Sequence, residues 1–182
     1  EYNVDGSPEV MDAYFGGGWK TILVSGLDGG GRGFYALDVT NPASPTVLWE
    51  VCSDKTTCKN WDEDIGYTHG NPVITKRASD GKWVAIVTSG LNNVSPGTGR
   101  GYLFVLDLET GDILAKVDTG EGDTTTPSGF NHISGFAGSF NTDNTAKWVY
   151  GGDLYGNVWR FDMAADPPKV WDRALCWTPT AM

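Results

Sequence analysis

The sequence predicts an all-β fold: a β-propeller fragment of about three four-stranded antiparallel blades. Three observations predict it. A strand opening on tryptophan occurs three times, a strand ending in aspartate follows each copy, and the composition is rich in turn formers and aromatics. The 182 residues include 25 glycines and 9 prolines, which punctuate turns. Beside them stand 8 tryptophans, 7 tyrosines and 7 phenylalanines, which suit half-buried pleated surfaces. A β-sandwich would bury the same residues but has no reason to repeat two strand types in one order three times.

The tryptophan strands span 19–27, 83–91 and 148–154, with Trp19, Trp83 and Trp148 spaced by 64 and 65 residues. Apolar residues fall on both alternating faces of the first two copies, which predicts strands buried on both sides. The aspartate strands are 34–38, 103–107 and 158–162, closing on Asp38, Asp107 and Asp162. Gly31-Arg32-Gly33 and Gly99-Arg100-Gly101 introduce the first two as matched turns. Third strands follow at 45–51, 112–117 and 169–172. A fourth type precedes each unit, at 6–10 and 70–73 with a proline, and near 134–140 without one. The blades so read cover 1–51, 66–120 and 130–175 of one partial propeller domain over 1–182.

Propellers close with roughly four to eight blades, so three leave apolar faces and strand edges exposed. The missing blades are therefore expected from elsewhere in a longer parent chain. The opening residues Glu1-Tyr2-Asn3-Val4-Asp5 have no initiator Met and no basic or apolar leader region, and read as the middle of that chain.

The formal charge is −10, which repels phosphate backbones and anionic lipid heads and argues against nucleic acid and bare membrane as partners. No stretch reaches the ~20 apolar residues of a membrane helix, so no membrane insertion is expected. Cys52 and Cys58 enclose five residues and are expected to form a local disulfide, the alternative being two free thiols. Cys176 is then odd. Neither His69 nor His132 has zinc-site spacing from these cysteines.

Catalytic signatures are missing. The sequence has no G-x-S-x-G elbow, H-E-x-x-H, Walker loop or G-x-G-x-x-G, and Gly29-Gly30-Gly31 lies between strands rather than opening a helix. Asp38, Asp107 and Asp162 are read as turn residues whose carboxylates accept backbone N–H groups. Asp62-Glu63-Asp64 is read as a solvated loop, the alternative being a site for a cation or a basic partner. Trp61 and Trp177 lie outside the clear strands and are the candidates for a partner contact.

Several runs carry a family resemblance: 64–76, 81–84, 89–94, 101–107, and above all Tyr150-Gly151-Gly152-Asp153-Leu154-Tyr155-Gly156-Asn157-Val158-Trp159-Arg160-Phe161-Asp162. They resemble the C-terminal domain of PilY/PilC-type proteins, large exported proteins of Gram-negative bacteria associated with the tip and assembly of type IV pili. The resemblance runs from Asp5 to about Asp162. It implies a propeller that promotes pilus extension by opposing retraction, with adhesion handled by a separate N-terminal region. It implies a location outside the cell or on its surface, associated with the pilus or outer membrane, and pilins or other pilus-tip components as partners.

The resemblance also implies an EF-hand-like calcium loop, which by position is 139–147, with Asn141, Asp143 and Thr145 as candidate ligands. Here the loop has lost most of its acids. Asp143 is its only carboxylate, Ser139 and Asn141 are weak ligands, and Lys147 stands where an acid is expected. No tight calcium binding and no other cofactor is expected, and Lys147 is expected to bond Asp143 in place of the ion.

The run 101–111 is also similar to the repeats of quinoprotein dehydrogenases, which hold a quinone and calcium. The adjacent cysteine pair of those enzymes is missing here. The expectation is a binding module rather than an enzyme, with loops 52–64 and 120–134 as contact surfaces. A quinone-dependent dehydrogenase fragment and a structural spacer are the alternatives.

Overall fold

A computed structural model describes residues 4–139 and 142–175. Its strands form three four-stranded antiparallel meanders in chain order, the second and third joined into one eight-stranded sheet. The first blade is β1 (Glu9–Phe15), β2 (Gly18–Gly26), β3 (Gly33–Asp38) and β4 (Thr46–Cys52). A fifth strand not read from the sequence, β5 (Asn60–Trp61), adds to it in parallel, pairing Val51 with Asn60 and Cys52 with Trp61. The second blade is β6 (Val73–Lys76), β7 (Trp83–Thr88), β8 (Tyr102–Asp107) and β9 (Ile113–Asp118). The third is β10 (Ile133–Ser139), β11 (Asp143–Gly152), β12 (Asn157–Asp162) and β13 (Lys169–Leu175). A single parallel bridge, Thr145 to Lys76, joins the second and third sheets. No helix among the described residues is long and apolar enough to cross a membrane.

The repeat extends to backbone detail. Each aspartate strand pairs with the next strand through a bulge at the same place, between Ala36 and Leu37, Val105 and Leu106, and Arg160 and Phe161. A bulge bends and twists its strand. Just beyond it the aspartate turns the chain. Asp38 Oδ1 accepts the Thr40 N–H at 3.0 Å, Asp107 Oδ1 that of Glu109 at 2.9 Å, and Asp162 Oδ1 that of Ala164 at 3.0 Å.

Two cores lie between the blades. Ile22, Val24, Phe34 and Val51 of the first blade meet Ala85, Val87, Phe104 and Leu106 of the second. The opposite face of the second blade, with Val84, Ile86, Leu103 and Val105, packs on Val149, Trp159 and Phe161 of the third. Every residue of β8 is therefore buried. The expectation of two buried faces holds for β7 but not for β2, where Trp19 is 66% exposed. The outer face of the first blade also shows Val10, Tyr14 and Val47, and that of the third shows Phe136, Tyr150 and Trp171. No blade covers these faces, which is what three blades of a propeller require.

Candidate functional site

The strand directions place the connections between blades at one end of the fold, together with the middle turn of each blade, and the first and last turns of each blade at the other. The connecting end gathers segment 53–72 between the first two blades, 119–132 between the second and third, and the 27–32 and 89–101 turns. Both segments expected as contact surfaces, 52–64 and 120–134, reach this end. They are joined through 93–101. Thr98 donates from N and Oγ1 to Asp64 Oδ1, both at 2.6 Å, and Ser128 N donates to Gly99 O at 2.8 Å.

Several devices hold this end rigid. Cys52 and Cys58 form a disulfide, with Cα atoms 5.8 Å apart. Inside the loop it closes, Asp54 Oδ1 accepts the Thr56 N–H at 2.8 Å and the Asp54 carbonyl accepts the Cys58 N–H at 3.1 Å. Arg32, from the glycine-flanked turn of the first blade, reaches into the second. Its Nη2 donates to the carbonyls of Asn92 at 2.9 Å and Pro96 at 3.1 Å. The matching Arg100 instead bonds Asp118 of its own blade at 3.1 Å. Thr68 Oγ1 donates to Gly33 O at 2.8 Å and accepts the Leu27 N–H at 2.9 Å, tying the second blade's entry to the first blade.

The acidic run 62–64 is not the solvated loop its composition implies. Asp64 is buried, because Lys116 of β9 reaches over to it at 2.7 Å and to Asp62 at 2.8 Å. The ammonium also lies 4.3 Å from the Tyr102 ring centre, a cation–π contact. Burial pushes the Asp64 carboxyl up, but the bonds from Lys116 and Thr98 outweigh it and hold it below the usual carboxylate range. Burial likewise disfavours the Lys116 ammonium, and the two aspartates more than reverse this. Nothing in sequence spacing pointed to Lys116, Thr98 or Arg32, since their partners lie on other strands or blades.

With Asp62 and Asp64 turned inward, Glu63 and Trp61 remain at the surface. Trp61 is 44% exposed and, with Ser53, Asp54, Lys55, Glu63 and Pro96, lines a groove of about 400 Å³ beside the disulfide. A rigid, half-exposed indole in a concave site is the kind of anchor that dominates protein interfaces. Trp177 and Cys176 lie outside the described residues.

The expected calcium loop lies at the opposite, hairpin end. Asn141 lies outside the described residues. Asp143 Oδ1 accepts Thr145 Oγ1–H at 2.6 Å, and its cationic partner at 2.6 Å is Lys76 of β6, not Lys147. Lys147 is exposed, the extra residue of a bulge where Phe136 pairs with Trp148 and Ala137 with Ala146. Among the described residues no three His, Cys, Asp or Glu side chains gather as a metal site. Among the described residues of the loop, Asp143 is the one carboxylate and Lys76 already bonds it, where calcium takes six to eight hard oxygens. Of the two histidines, His69 turns Nδ1 onto the Asp28 carboxylate of the first blade.

Comparison with known proteins agrees with this geometry. The family model of the PilY1 beta-propeller domain matches residues 1–174. The type IV pilus biogenesis factor PilY1 of Pseudomonas aeruginosa is 39% identical over 165 residues, covering 91% of this chain and 13% of that protein. A PilY1 homolog of Xylella fastidiosa is 37% identical over 179 residues, covering 93% and 12%. The chain thus spans about an eighth of the length of these relatives. The crystal structure of the P. aeruginosa PilY1 C-terminal domain superposes with a TM-score of 0.76 at 34% identity, over 92% of this chain and 35% of that one. The rhamnogalacturonan lyase YesW superposes with a TM-score of 0.54 at 13% identity over 98% of this chain and 35% of that one, a likeness of fold alone.

Proposed function

The chain belongs to the PilY1 β-propeller family, and from that premise we propose that it serves type IV pilus biogenesis as a non-catalytic docking module. Its parent promotes pilus extension at the cell surface, and the partners are pilins or other components of the pilus tip and its assembly machinery. The exposed outer faces of the first and third blades are covered by further blades of the same parent. The observation that carries this reading is Trp61, half exposed at an end of the fold that is otherwise cross-linked and hydrogen-bonded. Rigidity lowers the entropic cost of association, and an aromatic anchor beside an exposed carboxylate, Glu63, supplies contact area and charge recognition.

The test is surface piliation of cells carrying Trp61→Ala and Glu63→Lys in the full protein. Loss of surface pili at unchanged protein level is expected. Normal piliation in the double variant would remove the loop end as the docking surface.

A further inference from the structure

The start of β11 meets the other two blades at one point. Lys76 ends β6, and its backbone forms the parallel bridge to Thr145 while its ammonium bonds Asp143. Beside it, Thr75 Oγ1 donates to the Asn144 carbonyl at 2.7 Å, and Asn144 Nδ2 lies 2.8 Å from Met11 Sδ of β1. These contacts border a cleft of about 380 Å³ whose lining includes Met11, Asp12, Trp19, Lys76, Asp143 and Asn144.

Lys76 and Asp143 balance one to one, while the other carboxylate of the cleft, Asp12, accepts the Thr21 hydroxyl at 2.7 Å. A calcium ion at Asp143 would have to displace the Lys76 ammonium and would then stand beside it, and Asp143 is the loop's one carboxylate against three positive charges. Lysine presents a compact, strongly hydrated point charge on a flexible stem, and it can fill an ionic position without a cage of oxygens. We propose that Lys76 is the resident cation of this hairpin. It clamps the third blade to the second through Asp143 and makes that joint independent of calcium.

The test uses the full chain and reads hydrogen exchange at the amides of 143–149, with calcium calorimetry alongside. In Lys76→Met, exchange there is expected to rise about two- to fivefold, the scale of a partly exposed ion pair. Lys76→Arg is expected to keep protection, Lys147→Met to change nothing, and Asp143→Asn to add nothing in the Lys76→Met background. Calcium and chelator are expected to leave wild-type exchange unaltered, with no stoichiometric heat of binding. Stoichiometric calcium binding that raises protection would overturn the proposal. So would unchanged exchange in Lys76→Met, an equal effect of Lys147→Met, or loss of protection in Lys76→Arg matching that in Lys76→Met. Should Lys76→Met fail to fold, Asp143→Asn reads the same pair from its solvent side, and unchanged exchange there has the same force.

Discussion

The ammonium of Lys116 lies 2.7 Å from Oδ2 of Asp64, so the outermost strand of the second blade grips the segment that leads into that blade. The two residues are 52 positions apart, and the bond sits beneath the proposed docking surface. It fixes the backbone on which Trp61 and Glu63 are displayed.

Lys116→Met leaves the Asp64 carboxylate buried with only Thr98 to satisfy it. Because Lys116 is itself partly exposed, the expected loss at pH 7 is about 2 kcal/mol, below the 3–5 kcal/mol of a fully buried pair. Asp64, held low, contributes stability that is present above its unfolded value of about 3.9 and lost as the pH falls through its folded value. Lys116, held high, contributes stability present below about 10.4 and lost as the pH rises through its folded value. Urea unfolding across pH should therefore show wild type and variant furthest apart between about pH 4 and pH 10. Equal stabilities at pH 7 would sink this account.

The disulfide closes a short loop, for which chain entropy gives about 2 kcal/mol. Cys52→Ser with Cys58→Ser should lower stability by about that amount, measured without reductant. Thiol titration of the unfolded, unreduced wild type should find one reactive thiol, from Cys176, and a count of three would contradict the bridge.

Gly90 has φ +71°, and a Cβ there would stand 2.2 Å from the Tyr67 carbonyl oxygen. Gly81 has nearly the same φ, +70°, but open space around it. Gly81→Ala should cost about 1 kcal/mol, the backbone term alone. Gly90→Ala should cost at least about 2 kcal/mol more, because two backbones must separate. Thermal unfolding of the pair checks this, and equal midpoints would show that the close approach is soft.

Much of the fold was legible because blades repeat and their signals are local. The runs opening on Trp19, Trp83 and Trp148 became β2, β7 and β11, and those ending in Asp38, Asp107 and Asp162 became β3, β8 and β12. Alternation of apolar residues within a strand reports which faces are buried, and a turn aspartate bonds groups two residues away. The two-residue β5 was not legible, since a strand that short has no periodicity and exists only because β4 offers an edge. The exposed half of β2 was misread for a related reason. Its apolar residues encode a neighbouring blade, and no blade of this chain lies there.

The site was legible only in outline. Residue types and spacing marked the Cys52–Cys58 loop, the acidic run and Trp61, and the connecting end gathers all three. They did not mark the partners. The Lys147–Asp143 pairing expected within one hairpin gives way to Lys76–Asp143 between blades, because Lys147 stands exposed at a bulge of β11 while the parallel bridge brings Lys76 alongside.

By itself, then, the sequence determined the repeated strands of the three blades, their order, their turns and the family to which the chain belongs. These rest on interactions between near neighbours or on a pattern repeated every blade. The tertiary structure alone decided which acid is buried and which lysine meets it. Those pairings join residues distant in sequence, and their geometry exists only once blade stacking has brought the strands together.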